Sequence, residues 1–328
     1  MMKVPASLDN EQMKLWDALT TRLVTLDERV WEGKASGPAV ESWLGNFNGR
    51  TGATADLERL HALYILSQFM YFGAQEIRVL LRALYRELFL LPLSQRVRAE
   101  TNGVEEFCAR MAAERAATRF LGVGNPSESG VHLLYYFRQE NGLSKSAFLD
   151  SAQIYELADV RGQRKRVSRH PQVTRYIFLD DICGSGETAV RYSDSLLPEL
   201  LAEQPEVEVW YFALFATSEG LHRVANETVF GMRCGAVHEL DETYKWTGLN
   251  SRYLSALPDG LHRSLLTALP FLYGSILLPG HPLGYQESEL LLGFSHNTPD
   301  NTLPIIWFEQ EHGTPETWYP IFKRYPKV

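Results

Sequence analysis

The sequence predicts an α/β fold: a doubly wound, mainly parallel sheet, with an N-terminal helical region over residues 1–100 and an α/β domain with a C-terminal extension over 101–328. Three observations predict it. Residues 176–179 and 207–216 are apolar runs without alternation, as strands buried on both faces are. Strand, Gly/Ser-rich loop and helix patterns repeat from 119 to 240, the order that parallel βαβ units require. Ahead of them, apolar residues recur at helical rather than strand spacing.

In chain order, a first helix is expected over 12–30, with Leu15, Leu19, Leu23 and Leu26 on one stripe. Residues 33–52, rich in Gly, Ser and Asn, read as loop. A second helix runs from about 55 to 72 and stops at Gly73. Over 75–91, Ile77, Leu80, Leu81, Leu84, Leu88 and Leu91 keep i, i+3, i+4, i+7 spacing, and Pro92 is expected to end that helix. Its other face carries Arg78, Arg82 and Arg86. Like charges at that spacing repel, so an anion should lie opposite: acids of a neighbouring helix, or a phosphate or nucleic acid. A further helix covers 105–118, and 119–123 is a short strand. Residues 124–130 form a Gly/Ser loop before a helix over 131–138.

Arg161, Arg164, Lys165, Arg166 and Arg169 then make 159–170 too polar for core: either a solvated, mobile connection or cations for a ligand. Past residue 188 come a helix to 203, kinked or restarted at Pro198, and the strand at 207–216. Thr217 to Gly220 caps the next helix. His222, His238 and Glu239 lack metal-ligand spacing. A buried helix is expected over 265–278 and a strand over 290–294. The run from Asn297 to Asn301 is dense turn chemistry. It either caps a turn into 305–308 or offers the amides of Asn297 and Asn301 to an acceptor.

Composition narrows the class. The 45% hydrophobic and 22% charged fractions are those of a globular protein. No run reaches the length that crosses a bilayer, and the first residues lack the apolar core of a signal peptide. Three widely separated cysteines indicate neither a disulfide framework nor a zinc ribbon, so reduced thiols and a cytoplasmic location are expected. The net charge of −8 argues against broad affinity for nucleic acid, though not against a local basic site.

The densest chemistry lies between Tyr176 and Thr188. Asp180 and Asp181 follow the apolar strand near its carboxyl end, where open α/β sheets bind ligands. Gly184 and Gly186 allow a tight turn, and Ser185 and Thr188 add hydroxyls at the start of a helix. Such a loop suits a phosphate, and paired acids suit ribose hydroxyls, a divalent metal, or both. The segment resembles the phosphoribosyl-diphosphate (PRPP) fingerprint of type I phosphoribosyltransferases.

That resemblance implies that Asp180 and Asp181 hold the ribose and Mg²⁺. It also implies that Cys183, Gly184, Ser185, Gly186, Glu187 and Thr188 surround the 5′-phosphate. Cys183 and Gly184 depart from the usual residues there. The resemblance further places pyrophosphate at Ser127, Glu128, Ser129 and Gly130. Glu128 is odd beside an anion unless it binds metal or caps the helix. A hood loop would fall at 161–169, where Arg161 and Lys165 would neutralise the leaving pyrophosphate.

A narrower resemblance adds to this one. Residues 69–73 and 76–86, Pro126 to Gly130, the acidic fingerprint and the 296–304 run together resemble the phosphoribosyltransferase-like effectors of bacterial conflict systems, some encoded beside retron reverse transcriptases. It implies an antiphage toxin acting on a nucleotide or nucleic-acid acceptor such as tRNA. Its partners would be a reverse transcriptase with its msDNA or other defence proteins, with homo-oligomers left open. Two rivals keep the fold: a sensor that binds PRPP without turnover, and a ribosyl transferase or hydrolase using another donor such as NAD.

Overall fold

The computed structural model describes residues 4–124, 129–160, 162–309 and 317–325. By internal packing the chain forms two units, Met1–Ile77 with Asp241–Val328, and Arg78–Leu240. The boundary expected at residue 100 falls inside the second unit, and the C-terminal stretch expected to extend the α/β domain belongs to the first.

The first unit opens with α1 (Asn10–Arg29), capped by Asp9, whose carboxylate accepts from the amides of Glu11 and Gln12. Its stripe buries Trp16, Leu19 and Leu23. Within the expected loop at 33–52 stands a helix, α2 (Gly37–Leu44). A proline in its first turn and burial of Val40, Trp43 and Leu44 hold it, because packing rather than propensity stabilises short helices. α3 (Ala55–Ser67) stops short of Phe72, since Met70–Phe72 is a strand, β1.

α4 (Ala74–Ala83) leads into the second unit, continues as a π-helical stretch (Leu84–Leu90) and passes into α5 (Leu91–Glu100). Pro92 therefore does not end the helix but sits in the first turn of α5. The π register supplies the reason: Leu91 bonds five residues back to Arg86, and this wider turn relieves the proline's clash with the preceding carbonyl.

The rest of the second unit runs α6 (Val104–Ala116), β2 (Thr118–Gly122), α7 (Ser129–Glu140), β3 (Tyr155–Val160), β4 (Gln163–Ser168), β5 (Arg175–Cys183), α8 (Glu187–Glu203), β6 (Glu208–Thr217), α9 (Ser218–Glu227) and β7 (Cys234–Leu240). Strands β2, β5, β6 and β7 form one sheet in that order, all parallel. Neighbouring residues of a strand face opposite ways. Phe120 meets Tyr85, Phe89 and Phe137, whereas Phe178 meets Tyr192 and Phe230. Helices thus cover both faces: α7 and the 84–90 stretch on one, α8 on the other. α8 runs unbroken through Pro198, whose lost hydrogen bond falls on an exposed side of the helix. The polar 159–170 stretch is not a structureless connection: β3 and β4 pair antiparallel, with Gly162 at φ +80 in the turn.

The chain then returns to the first unit with α10 (Arg263–Leu277), β8 (Leu292–Phe294) and the short α11 (Pro304–Trp307). β8 lies parallel to β1, Met70 opposite Leu292. Trp31, Trp43, Phe47, Trp246, Ile305 and Ile306 fill the core. Buried among them, Glu58 accepts from the amides of Gly49 and Thr51, each at 2.7 Å, and from the Tyr273 hydroxyl at 2.6 Å. Among the described residues no helix is long and apolar enough to cross a membrane.

Candidate functional site

β5 is the central element of the site because its sequence leaves it no other place. Tyr176, Ile177, Phe178 and Leu179 are all buried, so the strand must lie inside the sheet between β2 and β6. Asp180 and Asp181 follow within the strand, both buried. Burial of carboxylates is costly unless donors meet them. Here Asp180 Oδ1 accepts from the Asp181 amide at 2.9 Å, and Asp180 Oδ2 accepts from the Tyr211 hydroxyl at 3.0 Å. Asp181 Oδ1 accepts from the Ile182 amide at 2.9 Å. Alternation along the strand sets the two acids on opposite faces.

After Cys183 the chain turns through Gly184, Ser185 and Gly186 into α8. Gly186 caps that helix at φ +74, a conformation that favours glycine. Among the described residues no hydrogen bond takes up the amides of Gly184, Ser185 or Thr188, and the Glu187 amide donates to Ser185 Oγ at 3.4 Å. Unpaired amides at the start of a 17-residue helix suit an anion.

The loop's outer side is held by α9. Thr217 Oγ1 donates to the Gly184 carbonyl at 2.6 Å and accepts from the Gly220 amide at 2.9 Å, so the cap read in the sequence also ties down the loop. Arg223 donates to the Ser185 carbonyl at 3.3 Å and pairs with Glu227. Burial pushes the Cys183 thiol up to about 12, so it remains protonated beside Tyr211 and Asp180. Burial, then the Asp180 charge, raise Tyr211 well above its ordinary value. Tyr211 was not singled out in the sequence, where it is one more ring in an apolar strand.

Other expected residues fall as follows. β2 lies beside β5 with Gly122 opposite Leu179, so the segment after β2 leaves the sheet next to Asp180. Ser129 and Gly130 begin α7, while Ser127 and Glu128 lie outside the described residues, as does Arg161. Lys165 is exposed on the hairpin, in register with Ala158. Asn297 and Asn301 belong to the other unit. Asn297 accepts from the amides of Thr298 and Tyr325, and the buried Asn301 donates to Ser288 Oγ, so both amides serve their own chain. The Arg78 and Arg82 face meets an acid of a neighbouring helix: both guanidiniums donate to Glu140, each at 2.7 Å, and Arg78 also lies over the Tyr136 ring.

For a metal, a carboxylate is the hard oxygen donor that Mg²⁺ takes alongside substrate phosphates, so Asp180 or Asp181, each on its own face, fits it singly.

No curated protein matches. Among solved structures the chain is similar to a Helicobacter pylori xanthine-guanine-hypoxanthine phosphoribosyltransferase, at 13% identity over 52% of this chain and 84% of that one, with a TM-score of 0.24. The PRTase-CE family model matches residues 40–324, most of the chain and all of the acidic strand, its loop and the flanking helices. The chain belongs to the PRTase-CE family, and is phosphoribosyltransferase-like.

Proposed function

We propose that the protein binds PRPP and transfers its 5-phosphoribosyl group to a nucleotide or nucleic-acid acceptor, releasing pyrophosphate. One observation carries this reading. A buried strand delivers two carboxylates and then, without a break, a loop whose unpaired amides open α8. The carboxylates offer acceptors to a sugar's hydroxyls, and the loop amides offer donors to its terminal phosphate.

In the reaction the bond from C1 to the pyrophosphate oxygen breaks, and the acceptor's nucleophilic atom bonds C1 while its proton passes to solvent. The chain's part is positional. Loop amides and the α8 dipole hold the 5′-phosphate, Asp181 and Asp180 hold the ribose, and the negative pair stabilises positive charge developing at C1. Mg²⁺, held by one of the two acids and by substrate oxygens, would offset the pyrophosphate charge. The hairpin cations, Lys165 among them, would serve the same leaving group.

Incubating the protein with labelled PRPP, Mg²⁺ and a panel of nucleotides and tRNA tests the reading. Pyrophosphate release that falls at least 100-fold in Asp181→Asn is the expected result. Binding without release would mean a sensor, and release from NAD instead would mean a different donor.

The antiphage role is proposed on the sequence resemblance alone. It predicts that expression arrests growth in the parent but not in Asp181→Asn, and that a reverse transcriptase with its msDNA, or other defence proteins, restrains the parent.

A further inference from the structure

We propose that Tyr211 is the positioning residue of this site, fixing Asp180 from the neighbouring strand so that the acid pair distinguishes ribose from deoxyribose. The proposal rests on the phosphoribosyl reading. Tyr211 stands opposite Phe178 in the sheet, and its ring packs on Phe230 with centroids 5.6 Å apart. It is 1% exposed, so it reaches a ligand only through another group.

That group is Asp180. One carboxylate oxygen takes the Tyr211 hydroxyl at 3.0 Å and the other the Asp181 amide at 2.9 Å. Held at both ends, the carboxylate cannot swing away. Cys183 is buried in the same cluster as Tyr211, beneath the loop that opens α8.

Rigidity matters for selection. A polar group that cannot turn to another partner is left unpaired when the sugar lacks its hydroxyl, and such a site rejects the analogue strongly. An acid released from Tyr211 can find another donor and rejects it less.

Calorimetry of the full chain with ribose 5-phosphate and 2-deoxyribose 5-phosphate tests this. The parent should prefer the ribose. Tyr211→Phe keeps the ring and should lower that preference about tenfold, while affinity for the deoxy sugar changes less than about threefold. In an Asp180→Asn background, Tyr211→Phe should lower the preference no further. A general loosening of the core would weaken both sugars alike, and that outcome, or a retained preference, overturns the proposal. Should Tyr211→Phe not fold, Phe230→Leu, which loosens the seat of the Tyr211 ring, replaces it. It keeps the loop amides and should lower the preference about threefold, and an unchanged preference would again overturn the idea. A parent that binds neither sugar phosphate sinks the phosphoribosyl reading itself, which is distinct from a parent and variant that discriminate equally.

Discussion

Burial sets the chemistry of single residues throughout this chain, and His61 shows it away from the site. Its ring is fully buried in the first unit; Nδ1 lies 2.7 Å from the Leu57 carbonyl, and Nε2 accepts from the His262 amide at 2.8 Å. Nδ1 therefore carries the proton, and the ring is neutral. Burial lowers its pKa from the ordinary 6.5 to about 4, with His262 adding to the effect. Between those values the unfolded chain binds the extra proton and the folded chain does not, so stability is full above pH 6.5 and falls as pH drops toward 4. The whole step is worth roughly 3 kcal/mol. Denaturant midpoints at pH 7, 5.5 and 4 should follow this slope, and His61→Gln, though less stable at pH 7, should show a shallower one. Asp180 and Asp181 could be singled out in the sequence because they stand between an apolar run and a Gly/Ser loop, all adjacent in the chain. The Tyr211 hydroxyl could not, since its target lies 31 residues away across the sheet.

Between elements, the loop and α9 are fitted to each other with no spare volume. A Cβ at Gly220 would overlap the Gly184 carbonyl oxygen and stand 2.8 Å from that of Cys183, both backbone atoms that cannot rotate aside. Gly220→Ala should therefore push the phosphate loop away from α9. Thermal unfolding should report a loss of about 1–3 kcal/mol, and calorimetry a larger fall in PRPP affinity than that loss would suggest for a residue with no ligand contact. The sequence showed this junction only as a cap, because Thr217 to Gly220 carries the local signal while the carbonyls it meets come from an earlier loop. The hairpin was invisible for the opposite reason. Its charged strand has no apolar pattern, and the pairing of Tyr155 with Ser168 through Val160 with Gln163 fixes it instead. The helix from 74 to 100 likewise survives Pro92 through a π turn that leaves no mark in composition.

On the scale of the molecule, the second unit sets an ion-paired arginine at one end of a strand and the acid pair at the other. At the start of β5, Arg175 is buried and donates to Glu208 at 2.7 Å, to Glu114 at 3.1 Å and to Thr118, while Arg96 pairs with the same two acids. Burial would raise both carboxyls, yet Arg175 and Arg96 hold them below the usual carboxylate range. At the other end of the strand stand Asp180, Asp181 and the loop. Arg175→Met should cost about 1–3 kcal/mol in denaturant unfolding by leaving Glu114 and Glu208 to more exposed arginines, and should leave the PRPP affinity of the folded fraction near that of the parent.

The sequence by itself determined the parallel sheet, the buried strand at 176–179, and the acids and Gly/Ser loop that follow it, because each rests on residues adjacent in the chain. Only the tertiary structure decided that residues beyond 240 rejoin the first unit, that Glu140 lies between Arg78 and Arg82, and that Tyr211 grips Asp180. Those contacts join residues far apart in sequence. Local patterns report which face of an element is buried, but the partner that covers it is chosen by packing alone.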